Sequence, residues 1–181
     1  MQKFEVIDNV ISIGYQNRIK DYMCASNYPW YYQDGITNGD VDKLKDSDLY
    51  SGFSNAIFGS GTITQGTDTL YPVLLEALKD KEPSVLLRIR AAMFVKNQNG
   101  VDTKHHTPHI DRSENEEPYK VAIYYVIDSD GSTGIFDGDT MIEEVDPKQG
   151  RMLIMDGDVY HASQCPKIHN QRIVVNYNFC I

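Results

Sequence analysis

From residue 84 onward the chain is written in short extended runs, and no other feature constrains its fold as much. Residues 84–96 form a long, largely apolar run, followed by Asn97-Gln98-Asn99-Gly100. Residues 119–127 are dense in aromatic and β-branched side chains, and shorter runs lie at 134–136, 141–145, 151–155 and 172–179. Such side chains suit a pleated, half-buried surface, and Asn-Gly is a strong hairpin signal. Many short strands joined by turns predict a sandwich or barrel, and a jelly roll fits the count.

The first 83 residues read differently. Phe4–Ile7 is a short strand ended by Asp8-Asn9. Ile13, Tyr15, Ile19, Tyr22 and Met23 recur at helical spacing and predict a helix over about 12–25. Leu70, Val73, Leu74, Leu75 and Leu78 mark a second helix, with Asp68 or Thr69 able to cap it. Tyr28-Pro29-Trp30-Tyr31-Tyr32 starts extended, because a residue before proline avoids the helical region. Trp30 reads as core. A strand is expected at 53–58, with loops at 33–50 and 60–66. The helices are expected to pack on the sheet. The 181 residues therefore read as one domain: helical and strand support over 1–83, and a jelly-roll core over 84–181.

A formal net charge of −9 argues against general attraction to nucleic acid, which needs Lys and Arg against phosphates, although a local basic groove stays open. Cys24, Cys165 and Cys180 are odd in number and form no C-x-x-C pair, so free thiols are expected. No apolar leader is visible and no apolar run approaches the roughly 18 residues of a membrane helix. A soluble, cytoplasmic protein with no membrane partner is the expectation.

The chemistry concentrates in Lys104-His105-His106-Thr107-Pro108-His109-Ile110-Asp111. Pro108 forbids a helix interior, so the segment is expected to be an extended strand. Residues i and i+2 then share a face, and His109 and Asp111 can offer an imidazole and a carboxylate to one metal. His161 lies downstream, and Arg172 follows eleven residues later. Two His and one carboxylate on one face of a ferrous ion leave positions open for oxygen and a co-substrate. A helical zinc-protease motif is excluded, since Pro108 breaks the helix and no Glu follows His105. His105 and His106 read as solvated loop residues, and His169 as exposed.

With these residues in order, the chain resembles the iron(II)- and 2-oxoglutarate-dependent oxygenases, nearest the prolyl-hydroxylase branch. The resemblance covers about 84–180. It is carried by His109-x-Asp111, Ala122-Ile123-Tyr124-Tyr125-Val126, Gly150-Arg151-Met152-Leu153-Ile154-Met155, His161 and Arg172. Residues 28–32 are more faintly similar to phage-type members. The resemblance implies a mainly β (α+β) fold: a double-stranded β-helix, the cupin-like jelly roll, with supporting N-terminal helices. It implies that His109, Asp111 and His161 ligate Fe(II). It implies that Arg172, with Tyr125, holds the far carboxylate of 2-oxoglutarate. A guanidinium suits that task because it donates two parallel hydrogen bonds and keeps its charge when buried. Tyr124 is expected on the opposite sheet face from Tyr125.

The sequence departs from the family at three places. Val174 stands where many members have Ser. Asn178 stands where a nucleic-acid demethylase branch has a second Arg; with Asn176 it shares the face of Arg172, and Asn178 is taken as a co-substrate-binding candidate. Ser132-Thr133-Gly134 is a reduced form of a common Gly-Gly-x-Thr pattern. The implied reaction uses O2 and 2-oxoglutarate, releases succinate and CO2, and hydroxylates a C–H bond of a peptidyl (prolyl) or free amino-acid side chain. The alternatives are a non-catalytic metal-binding jelly-roll module and an oxygenase acting on a nucleotide or small metabolite. Residues 33–66 and 97–107 are expected to supply the substrate lid.

Overall fold

The computed structural model describes residues 3–35, 51–59, 61–79, 81, 83–96, 104–112 and 118–181. The N-terminal half holds β1 (Phe4–Ile7), α1 (Ile13–Cys24), β2 (Tyr31–Gln33), β3 (Gly52–Gly59), β4 (Thr62–Ile63) and α2 (Gly66–Leu78). Then come β5 (Val85–Val95), β6 (Lys120–Tyr125), β7 (Thr133–Asp137), β8 (Thr140–Val145), β9 (Met152–Asp156), β10 (Tyr160–Ser163) and β11 (Gln171–Cys180). The strands make two antiparallel sheets. The larger runs β1-β9-β6-β11-β5-β3-β2, with β4 on β3, and the smaller runs β10-β7-β8. The N-terminal strands thus extend the large sheet at both edges.

Period-2 alternation in the central strands divides the interior in two. In β11, Ile173, Val175, Tyr177 and Phe179 face one core, while Val174 faces the other. In β6, Ala122 and Tyr124 oppose Val121, Ile123 and Tyr125 in the same way. The first core is closed by the helices, through Ile19 and Met23 of α1 and Leu70, Val73 and Leu74 of α2. Tyr177 ties sheet to helix by donating its hydroxyl to Leu70 O at 2.8 Å. The second core lies between the sheets and includes Ile135, Val145 and Val159. Arg88, Arg90, Ala92 and Phe94 of β5 and Arg172, Val174 and Asn176 of β11 line that space, which is where the candidate site forms.

Several expectations are corrected. α2 begins at Gly66 with Gln65 before it, so neither Asp68 nor Thr69 caps it; Asp68 sits in the first turn, where the helix dipole favours a carboxylate. In the expected loop at 60–66, Thr62 and Ile63 pair with Phe58 and Gly59. The expected loop at 33–50 starts with Gln33 still paired in β2, and 36–50 lie outside the described residues, as does the turn at 97–100. Trp30 is half-buried against the first core, with its indole N–H donated to Met23 O at 3.3 Å. Ser12 caps α1, accepting from Tyr15 N at 3.4 Å. All three cysteines are free thiols. Among the described residues, no helix is long and apolar enough to cross a membrane.

Candidate metal and co-substrate site

The segment before β6 meets β10 in a single antiparallel bridge, not in the strand expected around His-x-Asp. His109 N–H donates to His161 O and His161 N–H donates to His109 O, both at 3.0 Å. This reciprocal pair places the two imidazoles side by side, with ring centroids 4.9 Å apart. Each ring is oriented from behind. His109 Nδ1 lies 3.1 Å from Thr107 O, and His161 Nδ1 lies 3.1 Å from Val159 O. A carbonyl can only accept, so each Nδ1 carries a proton and each Nε2 is the nitrogen turned toward Asp111. The Nε2 atoms lie 3.9 and 3.8 Å from Oδ1 of Asp111. The other carboxylate oxygen, Oδ2, accepts from Asn178 Nδ2 at 2.8 Å and pairs with an Arg88 terminal nitrogen at 3.1 Å.

Three ligand atoms, one from each residue, lie within 4.8 Å of one another, and the group can hold a metal ion. Their electrostatics agree with that use. Burial, aided by His161, lowers the His109 pKa to about 4, so the ring is neutral. Burial would raise the Asp111 carboxyl, but His161, Arg88, His109 and Asn178 outweigh it and hold it well below the usual carboxylate range. A neutral imidazole and an ionised carboxylate are the forms a metal requires. Ligating histidines fixed through the second nitrogen are the rule in metal sites.

Arg172 enters the same cavity from β11 and is 1% exposed. One terminal nitrogen donates to Ser163 Oγ at 3.2 Å and the other to Thr133 Oγ1 at 2.8 Å. Its Nε has no hydrogen-bond partner. The guanidinium carbon lies 5.4 Å from the Phe94 ring centroid and 5.8 Å from that of Tyr125. Among the described residues no carboxylate pairs with it, so a buried cation is met only by hydroxyls and ring faces. Buried charges normally require a charged partner or a metal, which makes this a place for an anion.

Tyr125 and Tyr124 do take opposite faces: Tyr125 belongs to the inter-sheet core and Tyr124 to the helix-side core. The Tyr125 hydroxyl donates to Thr133 Oγ1 at 2.7 Å, so Thr133 joins tyrosine and arginine. Asn178 reaches the site through Asp111. Asn176 and Val174 line the cavity directly. His106 is corrected from solvated to buried, at 1% exposure, with its pKa pushed to about 3 by burial and then by Arg172. The reason is backbone pairing: His106 N–H donates to Ser163 O at 2.7 Å, turning the ring in against Phe94. His105 is corrected likewise to half-buried, with Nε2 3.0 Å from Ser132 Oγ. His169 is exposed, as expected. Thr133, Ser163, Arg88 and Arg90 were missed from sequence. Arg88 and Arg90 carried one usable signal, the i, i+2 spacing that puts both on one face of β5.

No protein-family profile matches the chain, and no curated protein matches it in sequence. Solved structures do match in fold. A 2OG-Fe(II) oxygenase family oxidoreductase from Burkholderia pseudomallei superposes with a TM-score of 0.71 at 10% identity, over 98% of this chain and 85% of its own. A prolyl hydroxylase from Trichoplax adhaerens, in complex with a hypoxia-inducible-factor peptide fragment, gives 0.62 at 12% identity, over 98% and 78%. The α-ketoglutarate-dependent epimerase SnoN, from nogalamycin biosynthesis, gives 0.62 at 10%, over 98% and 78%. The structural neighbours are thus 2OG-Fe(II) oxygenases, prolyl hydroxylases among them, and the fold is the double-stranded β-helix that the sequence resemblance implied.

Proposed function

We propose that this chain, as one domain, is an iron(II)- and 2-oxoglutarate-dependent dioxygenase that hydroxylates a C–H bond of an amino-acid side chain, peptidyl or free, with proline first. The observation carrying this reading is one cavity that holds both the His109–Asp111–His161 cluster and a buried Arg172 that no carboxylate pairs among the described residues. The donor set suits ferrous iron: two imidazoles and one carboxylate, with room for further ligands.

In this reading His109, Asp111 and His161 hold Fe(II), and Arg172 receives the distal carboxylate of 2-oxoglutarate. The iron, when bound, supplies O2 activation coupled to loss of CO2 from 2-oxoglutarate, leaving succinate. The chain's own part is position and environment. Thr107 O and Val159 O keep the protons on Nδ1 of each ring. Asn178 and Arg88 hold Oδ2 of Asp111 and leave Oδ1 facing the imidazoles. Thr133 aims the Arg172 fork, and Phe94, Ile123 and Val174 give the cavity apolar walls that exclude water. Hydroxylation is the outcome proposed; the epimerase with the same fold makes epimerisation the rival outcome, so the product is to be identified by mass as well as by succinate release.

Anaerobic titration of 2-oxoglutarate into Mn(II)-loaded protein tests the co-substrate half. Arg172→Gln is expected to weaken binding at least about tenfold, as for loss of a charged hydrogen-bond partner. Equal affinity in wild type and variant contradicts the assignment.

A further inference from the structure

We propose that Asn176 is a positioning residue of the metal site: its side-chain oxygen, Oδ1, accepts a hydrogen bond from a water ligand of the metal and slows that water's departure. The inference rests on the metal reading above and adds to it a residue that binds neither the metal nor the co-substrate.

Asn176 lines the cavity that holds His109, Asp111, His161 and Arg172. It stands on β11, a central strand of the large sheet, opposite Arg90 of β5 on one side and Ile123 of β6 on the other. It therefore belongs to the floor of the cavity. Along the strand, residues two apart share a face and lie roughly 6.5–7 Å from each other. One such step from Asn176 is Asn178, which holds Oδ2 of Asp111 at 2.8 Å. Two steps the other way, roughly 13 Å along the strand, is Arg172, the residue given to the far carboxylate of the co-substrate. Asn176 thus falls at the metal end of the floor.

The chemistry of Oδ1 selects its partner. The atom is buried, and among the described residues no group donates to it. A buried acceptor without a donor is destabilising, and native proteins generally supply one, from the chain, a water or a ligand. The two imidazoles are excluded, because the Nδ1 protons turn to Thr107 O and Val159 O. 2-Oxoglutarate is excluded, because its carboxylates and ketone carry no N–H or O–H at neutral pH. Water and substrate remain. The cost of a buried acceptor falls on the resting protein, before any substrate arrives, so the partner is a resident one. Two imidazoles, one carboxylate and a two-toothed keto acid fill five positions of an octahedral ion and leave the sixth to water. The metal polarises the O–H bonds of that water, as zinc does when it brings the pKa of bound water from about 16 to about 7. A polarised donor beside a buried, unpaired acceptor makes a strong hydrogen bond.

The test uses the full chain loaded with Mn(II) and 2-oxoglutarate in the absence of oxygen. The exchange rate of metal-bound water is read from the nuclear relaxation of labelled solvent oxygen. Asn176→Leu keeps the size of the side chain and deletes the acceptor, and exchange is expected to become at least about fivefold faster. Asn176→Asp keeps an oxygen in the same place and cannot donate, and exchange is expected to stay at the wild-type rate or below it. Mn(II) affinity is expected to be unchanged in Asn176→Leu. Urea unfolding of the metal-free proteins is expected to find Asn176→Leu at least as stable as wild type, since an unpaired acceptor is replaced by an apolar group. Equal exchange in wild type and Asn176→Leu overturns the proposal. So does fast exchange in Asn176→Asp, which would make the amide N–H the working group. A tenfold loss of Mn(II) affinity in Asn176→Leu overturns it by making Oδ1 a ligand, and earlier unfolding of the metal-free variant overturns it by making the role structural. A wild-type chain that binds no Mn(II) removes the metal reading itself, and the proposal with it.

Discussion

Asn178 Nδ2 donates to Oδ2 of Asp111 across 2.8 Å, and this fixes which carboxylate oxygen is left for a metal. Asn178 is fully buried on β11, and its cross-strand neighbour on β5, Arg88, holds the same oxygen at 3.1 Å. Asn178→Leu removes the donor and lets the carboxylate turn. Metal affinity should fall about 10–100-fold, the usual cost of losing a partner that orients a ligand. Mn(II) titration of wild type and variant measures it, and unchanged affinity contradicts the role given to Asn178.

Thr133 Oγ1 accepts from both Arg172 and Tyr125. Thr133→Val keeps the shape and deletes the acceptor, stranding a guanidinium N–H and a phenol in a buried place. Stability should fall by roughly 1–3 kcal/mol, and 2-oxoglutarate affinity should fall with it. Thr133→Ser should restore both. Urea unfolding together with co-substrate titration separates the effects, and a silent Thr133→Val counts against the network.

Asp130 accepts backbone N–H bonds from Lys167, Ile168 and His169 at 2.9, 2.8 and 3.0 Å. They anchor the turn between β10, which carries His161, and β11, which carries Arg172. Burial would raise its carboxyl, but these bonds and the His169 ring outweigh it and hold it well below the usual carboxylate range. Its folded pKa is therefore lower than its unfolded value of about 3.9. The stabilisation is complete above that unfolded value and is lost as pH falls through the folded one. Asp130→Ala should cost roughly 1–3 kcal/mol at pH 7, and the gap to wild type should begin to narrow below about pH 4. Urea unfolding at pH 7 and pH 3 reads the difference; a constant gap contradicts the account.

Gly150 adopts φ +80°, and a Cβ there would collide with the amide of Gln16. Gln16 cannot simply move, because it is 2% exposed and donates to Ile11 O at 2.9 Å. Gly150→Ala should cost about 1–3 kcal/mol while leaving metal affinity intact, since Gly150 lies on the helix side of the sheet. Denaturant midpoints check the first half and Mn(II) titration the second.

What was legible in the sequence was what alternation and order along the chain carry. β5, β6 and β11 showed in their apolar periods, and Tyr124 and Tyr125 divided as the pleat requires. The spacing His109-x-Asp111, then His161, then Arg172, marked residues that the fold brings together. β10 escaped notice because Tyr-His-Ala-Ser has too few residues to show a period. Arg88 and Arg90 were hidden inside a run read as apolar strand. Thr133 was read only within the reduced Ser132-Thr133-Gly134 pattern and not as a site residue, since its role exists only where β7 passes Arg172. His106 was read as solvated because its burial comes from pairing with Ser163, far along the chain. Alternation placed Asn178 on the face of Arg172, but not that Asp111 would arrive there.

The central claim is that His109, Asp111 and His161 hold an iron that consumes 2-oxoglutarate. The direct measurement is succinate formed when oxygen is admitted to anaerobic protein with Fe(II) and 2-oxoglutarate, with His109→Ala measured beside it. The account predicts succinate from the wild-type chain and none above background from the variant. Succinate at equal rates from both, or none from wild-type protein shown to bind Fe(II), would contradict it.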